Sequence, residues 1–239
     1  MIIPALNEAE NLPGIIEAMP SFVDRVVVAD NGSTDGTDEV AMKLGAMVSR
    51  AESRGYGSAC LAAIELLAHH EKAIIIFVSG DGSDDPAEME TLIATIVNNG
   101  YQLVIGSRKS GYVEPGAMTF AQRFGNLLAT KLMRLIWNAR FTDLGPYRAI
   151  ELETLLSLHM QDKDYGWTVE MQLKALQAGI KYTEVPVSYK QRRHGKPKIA
   201  GTIKGTLLAG YKILMWIFLF VVKGGHKSRK SANMCAQQA

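Results

Sequence analysis

Two hydrophobic periods alternate along the first half of the chain. Short apolar runs at Ile2-Ile3, Val26-Val27-Val28-Ala29, Ile74-Ile75-Ile76-Phe77-Val78 and Leu103-Val104-Ile105 are bounded by polar or glycine-containing turns. Continuous runs of this length mark strands buried on both faces of a parallel sheet. A further strand is predicted over 46–49. Between the runs, apolar residues return every three or four positions. Leu12, Ile15, Ile16 and Met19 form one such stripe, with Pro13 in the first turn, where proline is tolerated. Other helices are predicted over 58–70 and 86–98. This β-α-β-α order predicts an α/β fold with an open, mostly parallel, Rossmann-like sheet and helices on both faces. After residue 110 the pattern changes to a long helix over 119–138, an irregular stretch at 143–148, a helix over 168–178 and an alternating strand over 180–189. No internal repeat or Gly/Ser linker divides the chain. The simplest partition is one domain over 1–205, followed by an apolar helix and basic tail over 206–239.

Composition narrows the class. With 239 residues, 47% hydrophobic and 21% charged, the chain has enough apolar material for a substantial core, which excludes general disorder. Cys60 and Cys235 have no metal-ligand spacing, and the five histidines are scattered, which argues against a disulfide framework and a Cys/His zinc site. Met1 enters the first apolar run directly, without a basic-then-apolar leader. The expectation is a cytoplasmic protein with a shortened start.

The formal charge of +2 hides an asymmetry. Residues 190–239 carry 11 Lys and Arg and no acid, leaving 15 basic against 24 acidic residues in the first 189, or −9. A basic end on an acidic body points to a polyanionic partner. The apolar run Ile213–Val222, containing Trp216, Phe218 and Phe220, selects a membrane surface over nucleic acid. Leu207–Val222 makes about 24 Å of helix, short of the roughly 30 Å of hydrocarbon a span must cross. The prediction is an amphipathic or interfacial helix at the cytoplasmic face, with Lys223, Lys227, Arg229 and Lys230 drawn to anionic headgroups. Packing on the body, or against a second copy in a homo-oligomer, is the other destination for this run.

Candidate chemistry sits in the turns. In such sheets ligands bind beyond the carboxyl ends of the strands. Ser79-Gly80-Asp81-Gly82-Ser83-Asp84-Asp85-Pro86 follows one strand and supplies three carboxylates within five residues. Hard oxygen donors in a short turn suit Mg²⁺ or Mn²⁺ carrying a diphosphate, with Asp81 the leading ligand. Capping of the helix that starts at Pro86 is the alternative role for Asp84 and Asp85. Arg54-Gly55-Tyr56-Gly57 precedes a helix and suits an anion at its N-terminus. Neither a P-loop nor a well-placed Gly-x-Gly-x-x-Gly is present. Gln191-Arg192-Arg193-His194-Gly195-Lys196-Pro197-Lys198 reads either as a phosphate clamp or as a solvated basic loop.

Six motifs in register, Pro4-Ala5-Leu6-Asn7-Glu8, Val28–Thr37, Arg54–Gly57, Asp81–Pro86, Gly106-Ser107-Arg108 and Arg193–Lys198, resemble the family 2 glycosyltransferases of GT-A fold. The match is with the branch of dolichol-phosphate mannosyltransferases and other polyprenyl-phosphate glycosyltransferases, which serve cell-envelope glycan synthesis. The resemblance implies that Pro4, Asn7 and Glu8 lie on the first nucleotide loop, that Asp30 holds the base or ribose, and that Arg54 and Gly57 face the nucleotide. It implies Mg²⁺ or Mn²⁺ bound by Asp81 and Ser83. It places Arg108 at the diphosphate or acceptor phosphate, Arg148 at the acceptor phosphate, and Arg193 and Lys198 over the phosphates. Ser79 stands where the family has the first aspartate of Asp-x-Asp, which removes one anionic ligand.

The expected reaction is inverting transfer of a hexose from a UDP- or GDP-sugar to a polyprenyl phosphate. A lipid monophosphate is already ionised near neutrality and needs no strong base, so alignment and charge would carry the reaction. A hydroxyl acceptor would need a base, for which Glu170 and Asp143 are the candidates. A binding-only module is the third reading.

Overall fold

The computed structural model describes residues 1–70, 72–195 and 203–222. Seven short strands, β1 (Ile2–Ala5), β2 (Val27–Asp30), β3 (Met47–Arg50), β4 (Ile74–Phe77), β5 (Leu103–Ser107), β6 (Arg148–Glu151) and β7 (Tyr182–Pro186), form one sheet in the order β3-β2-β1-β4-β6-β5-β7. Successive side chains on a strand point to opposite faces. Both sets are apolar here, which explains the continuous runs. Ile2, Val27, Ala29, Ile75, Phe77, Leu103 and Ile105 enter one core, whereas Ile3, Val28, Ile76, Val78 and Val104 enter the other.

The second core is closed by α1 (Leu12–Glu17), α2 (Thr37–Lys43) and α4 (Met89–Asn99), through Leu12, Ile15, Ala41, Met89, Leu92 and Ile96. The first is closed by α3 (Tyr56–Leu67), α5 (Phe120–Trp137), α6 (Leu152–Ser157), α7 (Trp167–Ala178) and α8 (Ile203–Val222). The architecture is the α/β sheet with helices on both faces that the hydrophobic pattern predicts.

One strand departs from that pattern. β6 lies between β4 and β5 and runs antiparallel to both, pairing Ile75 with Ile150 and Val104 with Ala149. It is four residues long and bracketed by Arg148 and Glu151, so its apolar signature shrinks to Ala149-Ile150. The alternation over 180–189 overestimates β7, which is held to β5 only over Tyr182–Pro186.

Strand order reverses at β1, whose neighbours are β2 and β4. The loops after β1 and β4 therefore diverge and open a crevice at their carboxyl ends.

α8 packs on α5 and α7 through Ile213, Trp216, Ile217 and Phe220, so one face of the C-terminal helix joins the first core. Its other face exposes Leu207, Tyr211, Leu214, Phe218 and Val222. Among the described residues no helix is long and apolar enough to cross a membrane. The basic tail with Lys223, Lys227, Arg229 and Lys230 lies outside the described residues.

Candidate active site

A cleft of about 530 Å³ occupies the switch point. Its walls come from Pro4 in β1 and the turn that follows it (Leu6, Glu8), Asn31 after β2, the Arg54–Tyr56 turn, and the loop after β4 (Ser79, Gly80, Asp81, Ser83). Residues distant in sequence complete it: Gln122 on α5, Pro146, Asp164 and Tyr165 before α7, and Tyr189, Lys190 and Arg192 after β7.

The turn after β4 is ordered by its own polar groups. Asp81 Oδ1 accepts from Ser83 N at 3.1 Å and from Ser83 Oγ at 2.6 Å. Asp84 folds back beneath the turn, and its Oδ2 accepts from Ser79 N at 2.8 Å. A buried carboxylate therefore sits against the position where the resemblance loses one. Burial pushes the Asp84 pKa up to about 6, and its Oδ1 has no hydrogen-bond partner among the described residues. Asp85 accepts from Ala87 N at the start of the helical turn and pairs with Lys190 at 2.7 Å, so it does take the capping role. The cleft-lining donors Asp81 and Ser83 are hard oxygens, and Glu8 lines the same end. Among the described residues no three His, Cys, Asp or Glu groups converge closely enough to hold an ion by themselves. This donor set fits Mg²⁺ or Mn²⁺ that takes further ligands from a phosphate.

Other residues singled out by the resemblance take varied positions. Pro4, Glu8 and Arg54 line the cleft. Asn7, at φ 52°, uses its side-chain oxygen to accept from Thr34 N at 2.8 Å, tying the β1 and β2 turns together. Asp30 closes its own turn by accepting from Gly32 N and Ser33 N. Asn31, one residue on, reaches the cleft and accepts from Gly55 N at 2.8 Å.

Gly57 is not among the residues lining the cleft. A Cβ there would overlap the Asp162 carbonyl oxygen, so glycine permits the 162–165 loop to lie on the start of α3. Gly57→Ala is expected to lower stability by about 2 kcal/mol, read as a shift of the urea midpoint.

The arginines separate into distinct environments. The Arg108 guanidinium grips Asp143 through Nε at 2.9 Å and Nη2 at 2.6 Å and lies 5.0 Å from the Tyr189 ring centroid. Burial opposes its charge, but Asp143 overcomes this and holds the pKa above the ordinary arginine value. Arg148 does not meet the cleft, contrary to the role implied for it at an acceptor phosphate. It is 1% exposed on β6, in the centre of the sheet. Its guanidinium donates to the carbonyls of Leu144, Gly145 and Thr168. Burial lowers its pKa to about 10. Arg193 packs along Gly82, with its guanidinium near Gly14, while Arg192 turns into the cleft. Lys198 lies outside the described residues.

The two candidate bases are structural. Glu170 is wholly buried and accepts from Gln161 N at 2.8 Å and Asp162 N at 2.7 Å. Asp143 is the partner of Arg108. The cleft carboxylate absent from the sequence reading is Asp164, whose pKa is raised by burial. Its loop is built by Asp162, which accepts from Asp164 N, Gly166 N and Trp216 Nε1. No local motif announces such a loop.

A second, more apolar groove of about 290 Å³ adjoins the cleft. Tyr56, Gln122, Pro146 and Tyr165 line both. The groove runs past Arg108 between α5, the start of α7 and α8, reaching Ala209, Gly210 and Ile213.

Known proteins share this fold. An uncharacterised glycosyltransferase of Mycobacterium tuberculosis is 33% identical over 211 residues, covering 87% of this chain and 93% of its own. The polyprenol monophosphomannose synthase of Mycolicibacterium smegmatis is 28% identical over 235 residues, covering 90% and 85%. Glucosyl-3-phosphoglycerate synthase from M. tuberculosis superposes with a TM-score of 0.70 at 20% identity, over 90% of this chain and 78% of that one, which shows a shared GT-A-like fold. The sequence model of Glycosyl transferase family 2 matches residues 1–156, and the chain belongs to that family.

Proposed function

We propose that this glycosyltransferase moves a hexosyl group from a UDP- or GDP-sugar to a polyprenyl phosphate at the cytoplasmic face of a membrane. The observation that carries the acceptor class is the apolar groove that opens from the donor cleft, passes Arg108 and ends between α5 and α8. A phosphate beside Arg108 with its hydrocarbon chain in that groove satisfies both halves of such an acceptor. The polyprenol monophosphomannose synthase similarity supports the same class.

The outer surface supports membrane docking. α5 exposes Phe120 (84%), Phe124 (56%), Leu127 and Leu135 (79%), and its exposed charges are Arg123, Lys131 and Arg134. With the free face of α8 this makes an apolar surface fringed by cations, the composition of an interfacial helix. Phe124→Asp is expected to weaken binding to anionic vesicles about tenfold in a sedimentation assay, through lost apolar burial and added charge repulsion.

Asp81 and Ser83 would hold Mg²⁺ or Mn²⁺, whose chemistry there is neutralisation of the diphosphate leaving group. Both ions accompany UDP in structures of the mycobacterial synthase. Arg54 and Lys190 face the same space and add positive charge. Tyr56 and Pro146 line the junction with the groove. An acceptor phosphate, ionised at pH 7, attacks the anomeric carbon from the face opposite the departing diphosphate, which inverts the configuration.

Asp164 favours a second reading, a hydroxyl acceptor activated by that carboxylate. The deciding experiment supplies labelled UDP- and GDP-sugars, Mg²⁺, Mn²⁺ or EDTA, and two acceptors together, polyprenyl phosphate in anionic vesicles and a water-soluble sugar. Organic-extractable label that persists in Asp164→Asn supports the lipid phosphate. Label appearing only on a water-soluble hydroxyl acceptor, and lost in Asp164→Asn, replaces that reading with the second.

A further inference from the structure

The strap after β7 inserts a cation into the donor cleft between the turns at the switch point. Glu8 follows β1 and Asp81 follows β4, so their carboxylates face one space from two diverging loops. The Arg192 guanidinium binds Glu8 through two contacts of 2.8 Å and lies 3.4 Å from Asp81 Oδ2. Its side chain is 15% exposed. The strap backbone is anchored on both sides of this contact. Lys190 N donates to Ser83 O at 2.8 Å, Arg193 N to Asp81 O at 3.3 Å, and His194 N to Asn11 Oδ1 at 3.0 Å. These bonds fix the Cα of Arg192 and aim its side chain inward, while its neighbour Arg193 lies along Gly82 outside.

We propose that Arg192 is the cation that sits between Glu8 and Asp81 in the cleft and competes with a divalent ion for Asp81. This deepens the donor half of the function proposed above and is independent of the acceptor. A divalent ion arriving alone meets a carboxylate already facing a guanidinium, with no second aspartate at position 79 to strengthen its hold. A nucleoside diphosphate changes the balance, because its oxygens give the ion further ligands and give Arg192 an alternative anionic partner. Ion and nucleotide binding are then coupled, and the coupling is reciprocal. Arg192 is a positioning residue in this scheme, and its signature is metal binding in the absence of any reaction.

The test titrates the full chain with Mn²⁺ and follows the free ion by electron paramagnetic resonance, with and without UDP or GDP. In the wild type, one of the nucleotides is expected to tighten Mn²⁺ binding about tenfold or more, equivalent to ~1.4 kcal/mol. Arg192→Gln is expected to bind Mn²⁺ about tenfold more tightly than the wild type without nucleotide, a gain erased by adding Asp81→Asn. Arg192→Lys keeps the charge but loses the planar fork, and should fall between the two. It also serves if the glutamine variant does not fold. Wild-type Mn²⁺ affinity in both variants, or no tightening by either nucleotide, overturns the proposal. Neither measurement requires sugar transfer, so failure to form a lipid product leaves this inference standing, and unchanged Mn²⁺ binding leaves the lipid acceptor standing.

Discussion

Asp81→Asn should reduce the rate of sugar transfer by about 10³-fold, or ~4 kcal/mol in the barrier, while the thermal midpoint stays close to that of the wild type. The substitution is nearly isosteric, and the two donors on Oδ1, Ser83 N and Ser83 Oγ, can still reach an amide oxygen. What disappears is the negative charge between the β4 turn and the strap, and with it the anionic ligand proposed for a divalent ion. Single-turnover transfer with saturating donor separates this chemical effect from weakened binding. Activity within tenfold of the wild type would remove Asp81 from the chemistry and move attention to Asp84, whose buried Oδ1 lacks a partner among the described residues. Asp84→Asn is the natural companion, because it alters the carboxylate beneath Ser79 without touching the Asp81 to Ser83 bonds.

Much of the site is legible because in a parallel sheet the functional turns follow apolar runs directly. Ala5 leads to Glu8, and Phe77 leads to Asp81, with only a few residues between strand and cleft. The two strands flanking the switch point therefore declare themselves through local pattern alone. The opposite wall of the cleft follows different rules. Tyr165 and Asp164 enter the cleft because Glu170 and Asp162 gather the preceding backbone, and Trp216 reaches Asp162 from another helix. Those contacts link residues as many as 54 positions apart, beyond the reach of any window on the sequence.

Adjacent residues also exchange roles. Arg192 and Arg193 are equivalent in composition and both sit in an irregular loop, so only the anchored backbone shows which one turns inward. The same ambiguity affects Asp30 and Asn31, since the carboxylate is consumed by its own turn and the amide reaches the cleft. Residue type predicts the chemistry a turn can offer. Which member of a neighbouring pair delivers it depends on hydrogen bonds made elsewhere in the fold.

Arg148 carries this distinction furthest, and Arg148→Ala is expected to lower stability by ~3–5 kcal/mol. Its guanidinium is the buried donor to the carbonyls of Leu144, Gly145 and Thr168, which join the segment before β6 to the start of α7. Removing it leaves those acceptors without that donor and opens a cavity beside Phe77 and Ile105, its partners across the sheet. Arginine remains charged at neutral pH even with its pKa lowered to about 10, so the fold holds a buried cation with carbonyl dipoles. Arg148→Met retains much of the volume and should lose less than alanine, with the difference measuring the cavity. Urea denaturation gives both values, and acceptor titrations on the folded fraction give the functional counterpart. A weakened midpoint with an unchanged acceptor KM places Arg148 in the frame that sets Pro146 and Leu144 around the groove. An unchanged midpoint with a raised acceptor KM would instead bring its guanidinium into the cleft and restore the phosphate contact implied by the family resemblance.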